Sequence, residues 1–184
     1  MILRRFRPRS QDRSIRDLYG AIVAQARRPA FYRGYGVPDT VHGRFDLIVL
    51  HLVLVLERFG RSDAAGRGVG QELFDVFCRD LDANLREMGV GDLAVPKRMR
   101  EFGEAFYGRQ AAYRTALDAA DARELENALR RNIFAGTGAG YGAARLASYA
   151  RAALRQFATQ EDAALLRGDV VFPEPEAIAE TVHD

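Results

Sequence analysis

With 184 residues, 48% of them hydrophobic, the chain can bury roughly 70% of its unfolded surface in one core, so it needs neither metal nor disulfide staples. Its single cysteine, Cys78, excludes an internal disulfide and suits a reducing compartment. The formal charge of +2 hides two opposed ends, with nine Arg against Asp12 and Asp17 up to Arg33, and seven acids against Arg167 from Thr159 onward.

Residues 1–11 read as a basic arm, because MILRRFRPRSQ is charged and no apolar run of signal-peptide length follows it. Ile15, Leu18, Tyr19, Ile22, Val23 and Ala26 recur at helical spacing and predict a first helix, which Pro29 ends at Arg28. A connector with Gly34, Gly36 and Pro38 leads to Asp39, the expected N-cap of a helix over about residues 40–59. Inside that helix, Leu47 to Leu56 is apolar apart from His51. Its ten residues span about 15 Å, half a hydrocarbon core, so it predicts a central core helix and not a membrane span.

Residues 60–68 read as a polar loop. A helix over about 69–88 follows, striped by Leu73, Val76, Phe77, Leu81, Leu85 and Met88 and ended by Gly89 at C′. After the loop at 90–95, Pro96 stands at an expected first helical position, ahead of Met99, Phe102, Phe106, Tyr113 and Leu117. Gly103 and Gly108 would let that helix bend or a neighbour come close. Asp121 and Glu124 suggest a capping box before Leu125, Leu129 and Ile133. A glycine-rich link over 136–142 precedes a last long helix with Leu146, Tyr149, Ala153, Leu154 and Phe157, and residues 163–166 extend it or add a turn. Residues 169–184 read as an acidic tail, loose beyond an extended 170–172. With no strand–helix alternation, the reading is all-α: one compact helical bundle of about six to seven helices over residues 12–168.

Sequence motifs for chemistry are weak. There is no G-x-S-x-G elbow and no HExxH, and His42 and His51 lie on opposite sides of one helix. No cofactor, metal site or enzymatic role is expected. Glu72, Asp75, Arg79, Asp82 and Arg86 fall on one side of a helix, which reads more readily as a solvated ion-pair stripe than as a recognition face. Residues 136–142 lack the Gly-Lys-Ser/Thr ending of a phosphate loop. Arg4, Arg5, Arg7, Arg9 and Arg13, with Phe6 among them, suit an anionic surface, either ribosomal RNA or anionic lipid; DNA is not an expected partner.

Tyr32, residues 36–40 (GVPDT), 43–46 (GRFD), Leu50-His51 and above all residues 82–97 (DANLREMGVGDLAVPK) form one pattern. It runs on through Met99, residues 105–109 (AFYGR) and Tyr113. Together they resemble the ubiquinol–cytochrome c chaperone family. The resemblance implies an all-helical assembly chaperone that receives newly made cytochrome b for the ubiquinol–cytochrome c reductase, beside a partner protein and near the ribosome. It brings no catalytic residues. A cytoplasmic location follows as an expectation, with peripheral attachment to the inner membrane through the basic arm.

The expected client or partner site is a polar-edged groove over Phe45, Phe74 and Phe106. Asp39, Arg44, His51, Arg86, Glu87, Asp92 and Lys97 are its other candidate residues, with Arg44 and His51 on one helix face. A competing reading makes Asp39, Arg44, Arg86 and Asp92 a buried network that fixes the loops. The functional alternative is a helical carrier of a small ligand, lipid or quinone, with its pocket around His51.

Overall fold

The structure, a computed structural model, describes residues 9–135 and 140–178. Among the described residues there is no strand. Six helices of ten or more residues carry the fold: α1 (Arg9–Ala26), α3 (Val41–Gly60), α4 (Ala64–Glu87), α5 (Val95–Asp118), α6 (Arg123–Asn132) and α7 (Gly140–Thr159). Two helices of five residues complete the set, α2 (Pro29–Arg33) and α8 (Asp162–Leu166), followed by a 3-10 turn at Pro175–Ala177.

α3 is the hub. It packs against α1, α4, α5 and α7, so every side of its middle turns meets protein. Leu47, Val49, Leu50, Leu52, Val53 and Leu54 are all fully buried, which is why this helix lacks a polar stripe. Each such side chain is worth about 1.5–3 kcal/mol of burial. The other helices show one apolar face each, as α1 does with Ile15, Leu18 and Ile22.

Several boundaries differ from the sequence reading. Asp39 is not the cap of α3; Thr40 is, with its hydroxyl accepting from the Gly43 backbone N–H at 3.1 Å. The expected loop over 60–68 is mostly the first turns of α4, capped by the Asp63 carboxylate. Gly66 allows a tight turn between α3 and α4, since a Cβ there would sit 2.4 Å from Ser62 Cβ. Pro96 is the second residue of α5, not the first. Gly103 and Gly108 admit no close neighbour, because a Cβ at either would meet nothing within 4 Å. The capping box at Asp121 reduces to one bond, from the Arg123 N–H to the Asp121 carboxylate. Residues 136–139 of the glycine link lie outside the described residues, and Gly140 already belongs to α7.

The segment after α8 is not loose over residues 170–178. Tyr35 Oη donates to Pro175 O at 2.6 Å, Gln25 Nε2 to Pro173 O at 3.1 Å and Arg145 Nε to Ile178 O at 3.2 Å. Arg28 pairs with both Glu174 and Glu176, and Phe172 packs edge-on to Phe157. The acidic character of this segment is thus partly spent on a strap across α1, α2 and α7. Residues 179–184 lie outside the described residues.

Candidate functional site

The α4–α5 hairpin is built by a local code. Gly89, at φ +81°, ends α4 in a Schellman turn: Val90 N–H donates to Leu85 O at 3.0 Å and Gly89 N–H to Arg86 O at 2.9 Å. The chain then turns again, with Ala94 and Val95 N–H both donating to Gly91 O, and enters α5. Leu85 and Val95 are buried at the base of the hairpin. At its tip Leu93 is 99% exposed and Met88 63% exposed, although the backbone beneath them is fixed. Arg86 pairs with Asp82 at 2.7 Å and with Asp92 across the turn, and Glu87 and Lys97 are exposed beside them. The tip thus sets two exposed apolar side chains among charges of both signs.

A row of aromatic rings runs between α3, α4 and α5. Phe45 meets Phe102 at 5.0 Å and Phe77 at 6.2 Å; Phe74 meets Phe106 at 4.7 Å and Tyr107 at 5.7 Å. The expected grouping of Phe74 with Phe106 is present, and both line a groove of about 250 Å³ with Leu56, Phe59, Gly70 and the exposed Tyr107. Phe45 lies at the other end of the row and does not line that groove. Phe106 itself is buried, so the accessible aromatic rings of the groove are Phe74 and Tyr107, beside the exposed Arg67 and Gln71.

His51 does not belong with Arg44. Its ring is completely buried, with Nδ1 2.7 Å from Leu47 O and Nε2 3.0 Å from Tyr149 Oη. Phe31, Tyr149 and Phe172 surround it at ring distances of 5.2–5.5 Å, so side chains fill the space expected for a carrier pocket. Burial pulls its pKa down to about 4, which keeps the ring neutral.

Asp39 and Arg44 form an ion pair at 2.7 Å, each side chain more than half exposed. The expected buried network does not hold, because this pair and the Asp82–Arg86–Asp92 group are separate and open to solvent. The Glu72–Arg86 stripe also divides: Glu72 is buried against Gln11, while Asp82 and Arg86 pair at 2.7 Å at the far end; off the stripe, Asp80 accepts from Tyr19 Oη at 2.8 Å. Arg4, Arg5 and Arg7 lie outside the described residues, as does the Arg9 side chain. Arg13 is 82% exposed and 3.6 Å from Asp17.

Sequence reasoning missed the buried pair of Asp46 and Arg109, which joins α3 to α5 at 2.8 Å. Desolvation pushes the Asp46 carboxyl above its ordinary range despite the guanidinium. Glu57 and Arg114 repeat the link along the same two helices at 2.9 Å. The signal was available, since an acid inside an apolar helix needs a cation from a neighbour. Gly43 has a structural duty as well: a Cβ there would sit 2.0 Å from Pro38 O.

Comparison with known proteins points one way. The family described as Ubiquinol-cytochrome C chaperone matches residues 33–172. The crystal structure of the Cbp3 homolog from Brucella abortus superposes with a TM-score of 0.84 at 37% identity, covering 92% of this chain and 94% of that one. A Xenopus laevis protein, ubiquinol-cytochrome-c reductase complex assembly factor 1, is 25% identical over 116 residues, 63% of this chain and 58% of its own length.

Proposed function

The chain belongs to the ubiquinol–cytochrome c chaperone family, and from that premise we propose that it binds newly made cytochrome b during assembly of the ubiquinol–cytochrome c reductase. The observation that carries this reading is the α4–α5 hairpin tip, where a rigid turn holds Leu93 and Met88 out in water between Arg86, Glu87, Asp92 and Lys97. Two large apolar side chains held out together on a fixed backbone suit capture of an apolar client segment. The groove at Phe74 and Tyr107 offers a second partly apolar surface on the same two helices, bordered by α3.

The role is binding without turnover, and it needs no bound group. No helix among the described residues is long and apolar enough to cross a membrane. A cytoplasmic protein peripheral to the inner membrane, with Arg4, Arg5, Arg7, Arg9 and Arg13 as its anionic-surface contacts, fits the charge distribution. A partner protein and the ribosome complete the proposed setting.

The test is photocrosslinking in the source cells from probes at Leu93 and Tyr107, with adducts identified by mass spectrometry. Cytochrome b adducts from these positions, and none from a probe at Arg155 on α7, are the expected result. Equal labelling from all three positions would sink the assignment of this face.

A further inference from the structure

Three arginines close on one anchored aromatic ring where α1, α2 and α3 meet. Arg27 follows the last residue of α1, Arg33 ends α2, and Arg44 stands in the second turn of α3. With Pro29, Tyr32 and Asp39 they line an open recess of about 240 Å³. The Tyr32 hydroxyl donates to Ala26 O at 2.9 Å, which fixes the ring, and the Arg44 guanidinium lies 5.9 Å from the ring centroid. Asp39 is the one carboxylate in the lining, and it is engaged by Arg44 Nε at 2.7 Å. Arg27 and Arg33 are exposed and pair with no carboxylate among the described residues. The nearby acids Glu174 and Glu176 are taken by Arg28.

The lining therefore carries three cations against one anion. Guanidinium groups keep their charge at any relevant pH, so the excess cannot be relieved by deprotonation. An oxyanion would relieve it, and a tetrahedral one could accept from several planar donor forks at once. We propose that this recess is a phosphate-binding site, taking the phosphate of an anionic lipid headgroup or of a free phosphorylated small molecule. The recess has room for a phosphate and the few atoms attached to it. Asp39 is an internal competitor that holds Arg44 until the phosphate displaces it. The site lies on different elements from the α4–α5 hairpin, so its failure would leave the client-binding reading untouched.

The experiment titrates the full chain with glycerol 3-phosphate and reads the arginine Nε–H signals by NMR. In parallel, flotation compares phosphatidylglycerol vesicles with phosphatidylcholine vesicles. Saturable shifts at Arg27, Arg33 and Arg44, weakened at least tenfold in an Arg27→Gln/Arg33→Gln variant of unchanged circular dichroism, are expected. Asp39→Asn should tighten binding about threefold, the effect of removing one like charge roughly 6 Å away in a water-like dielectric. Flotation that the double variant loses would identify the lipid as the source; shifts without flotation would identify the free small molecule. No saturable response at the three arginines, full binding by the double variant, or weaker binding by Asp39→Asn would each overturn the proposal.

Discussion

His51 Nε2 lies 3.0 Å from the hydroxyl of Tyr149, a residue 98 positions further along the chain, and this contact joins α3 to α7 in the centre of the bundle. The geometry assigns the protons. Nδ1 donates to Leu47 O, so Nε2 accepts from Tyr149, whose oxygen in turn accepts from Gln25 Nε2 at 3.0 Å. Gln25 also reaches Pro173 O, so the strap over residues 170–178 ends on the same network.

Acid should therefore loosen the protein through His51. Its folded pKa of about 4 lies below the ordinary value of 6.5, so the unfolded chain takes up the proton first. The contribution is complete above pH 6.5 and is lost as pH falls from there toward 4. By pH 5 the loss is on the order of 2 kcal/mol. Urea midpoints measured from pH 7.5 to 4.5 should show this slope in the natural protein, and His51→Gln should flatten it.

Tyr149→Phe keeps the ring packing against Phe31 and removes one hydroxyl. His51 Nε2 then has no donor and Gln25 loses an acceptor, both in buried surroundings. A loss of about 1–3 kcal/mol in chemical denaturation is expected. A variant as stable as the parent would show that the network carries no energy.

The stripes of α1 and α7 were legible because one-sided burial leaves a period of 3.6 in the sequence, and α3 was legible because all-round burial erases it. The five residues of α2 are too few to show a period after Pro29. The start of α4 looked like loop because Gly66, Gly68 and Gly70 carry poor helix propensity. Gly66 and Gly70 serve close approach, since a Cβ would sit 2.4 Å from Ser62 Cβ at the first and 3.4 Å from Phe59 Cβ at the second, whereas Gly68 faces open space. The strap was invisible for another reason: its acceptors are the backbone carbonyls of Pro173, Pro175 and Ile178, which leave no side-chain pattern. At the site, the Phe74–Phe106 pairing could be read from the chain. Arg44 and His51 share a helical face by spacing, yet the first is exposed and the second buried, because other helices surround the middle of α3 and not its first turns.

Glycines within the same fold should answer in opposite directions. Gly43→Ala would drive a Cβ into Pro38 O, and Gly142→Ala into Tyr35 O, each 2.0 Å away with backbone on the far side. Each should cost about 1–3 kcal/mol or prevent folding. Gly103→Ala and Gly108→Ala, in the open interior of α5, should instead stabilise by about 0.5–1 kcal/mol. Thermal unfolding of the four variants side by side checks the contrast, and a stable Gly43→Ala would refute the close approach.

Arg109→Leu isolates the buried Asp46 carboxylate between α3 and α5. Removing one partner of such a pair costs about 3–5 kcal/mol at neutral pH. Asp46 already titrates above its ordinary range, and losing the guanidinium raises it further. Its folded state then binds the proton more readily than the unfolded chain, so this penalty shrinks as pH falls. The gap between variant and parent should be wider at pH 7.5 than at pH 5; a constant gap would mean that lost packing, not charge, dominates.

Leu93→Asp separates binding from folding. The side chain is 99% exposed and the turn beneath it is held by backbone bonds, so stability should stay within about 0.5 kcal/mol of the parent. A carboxylate at the tip would have to be desolvated against an apolar client, which costs several kcal/mol. Recovery of cytochrome b in pull-downs should therefore fall at least tenfold, while Leu93→Met retains most of it. An unchanged yield from a folded Leu93→Asp protein would move the client surface away from the hairpin and toward the groove at Phe74 and Tyr107.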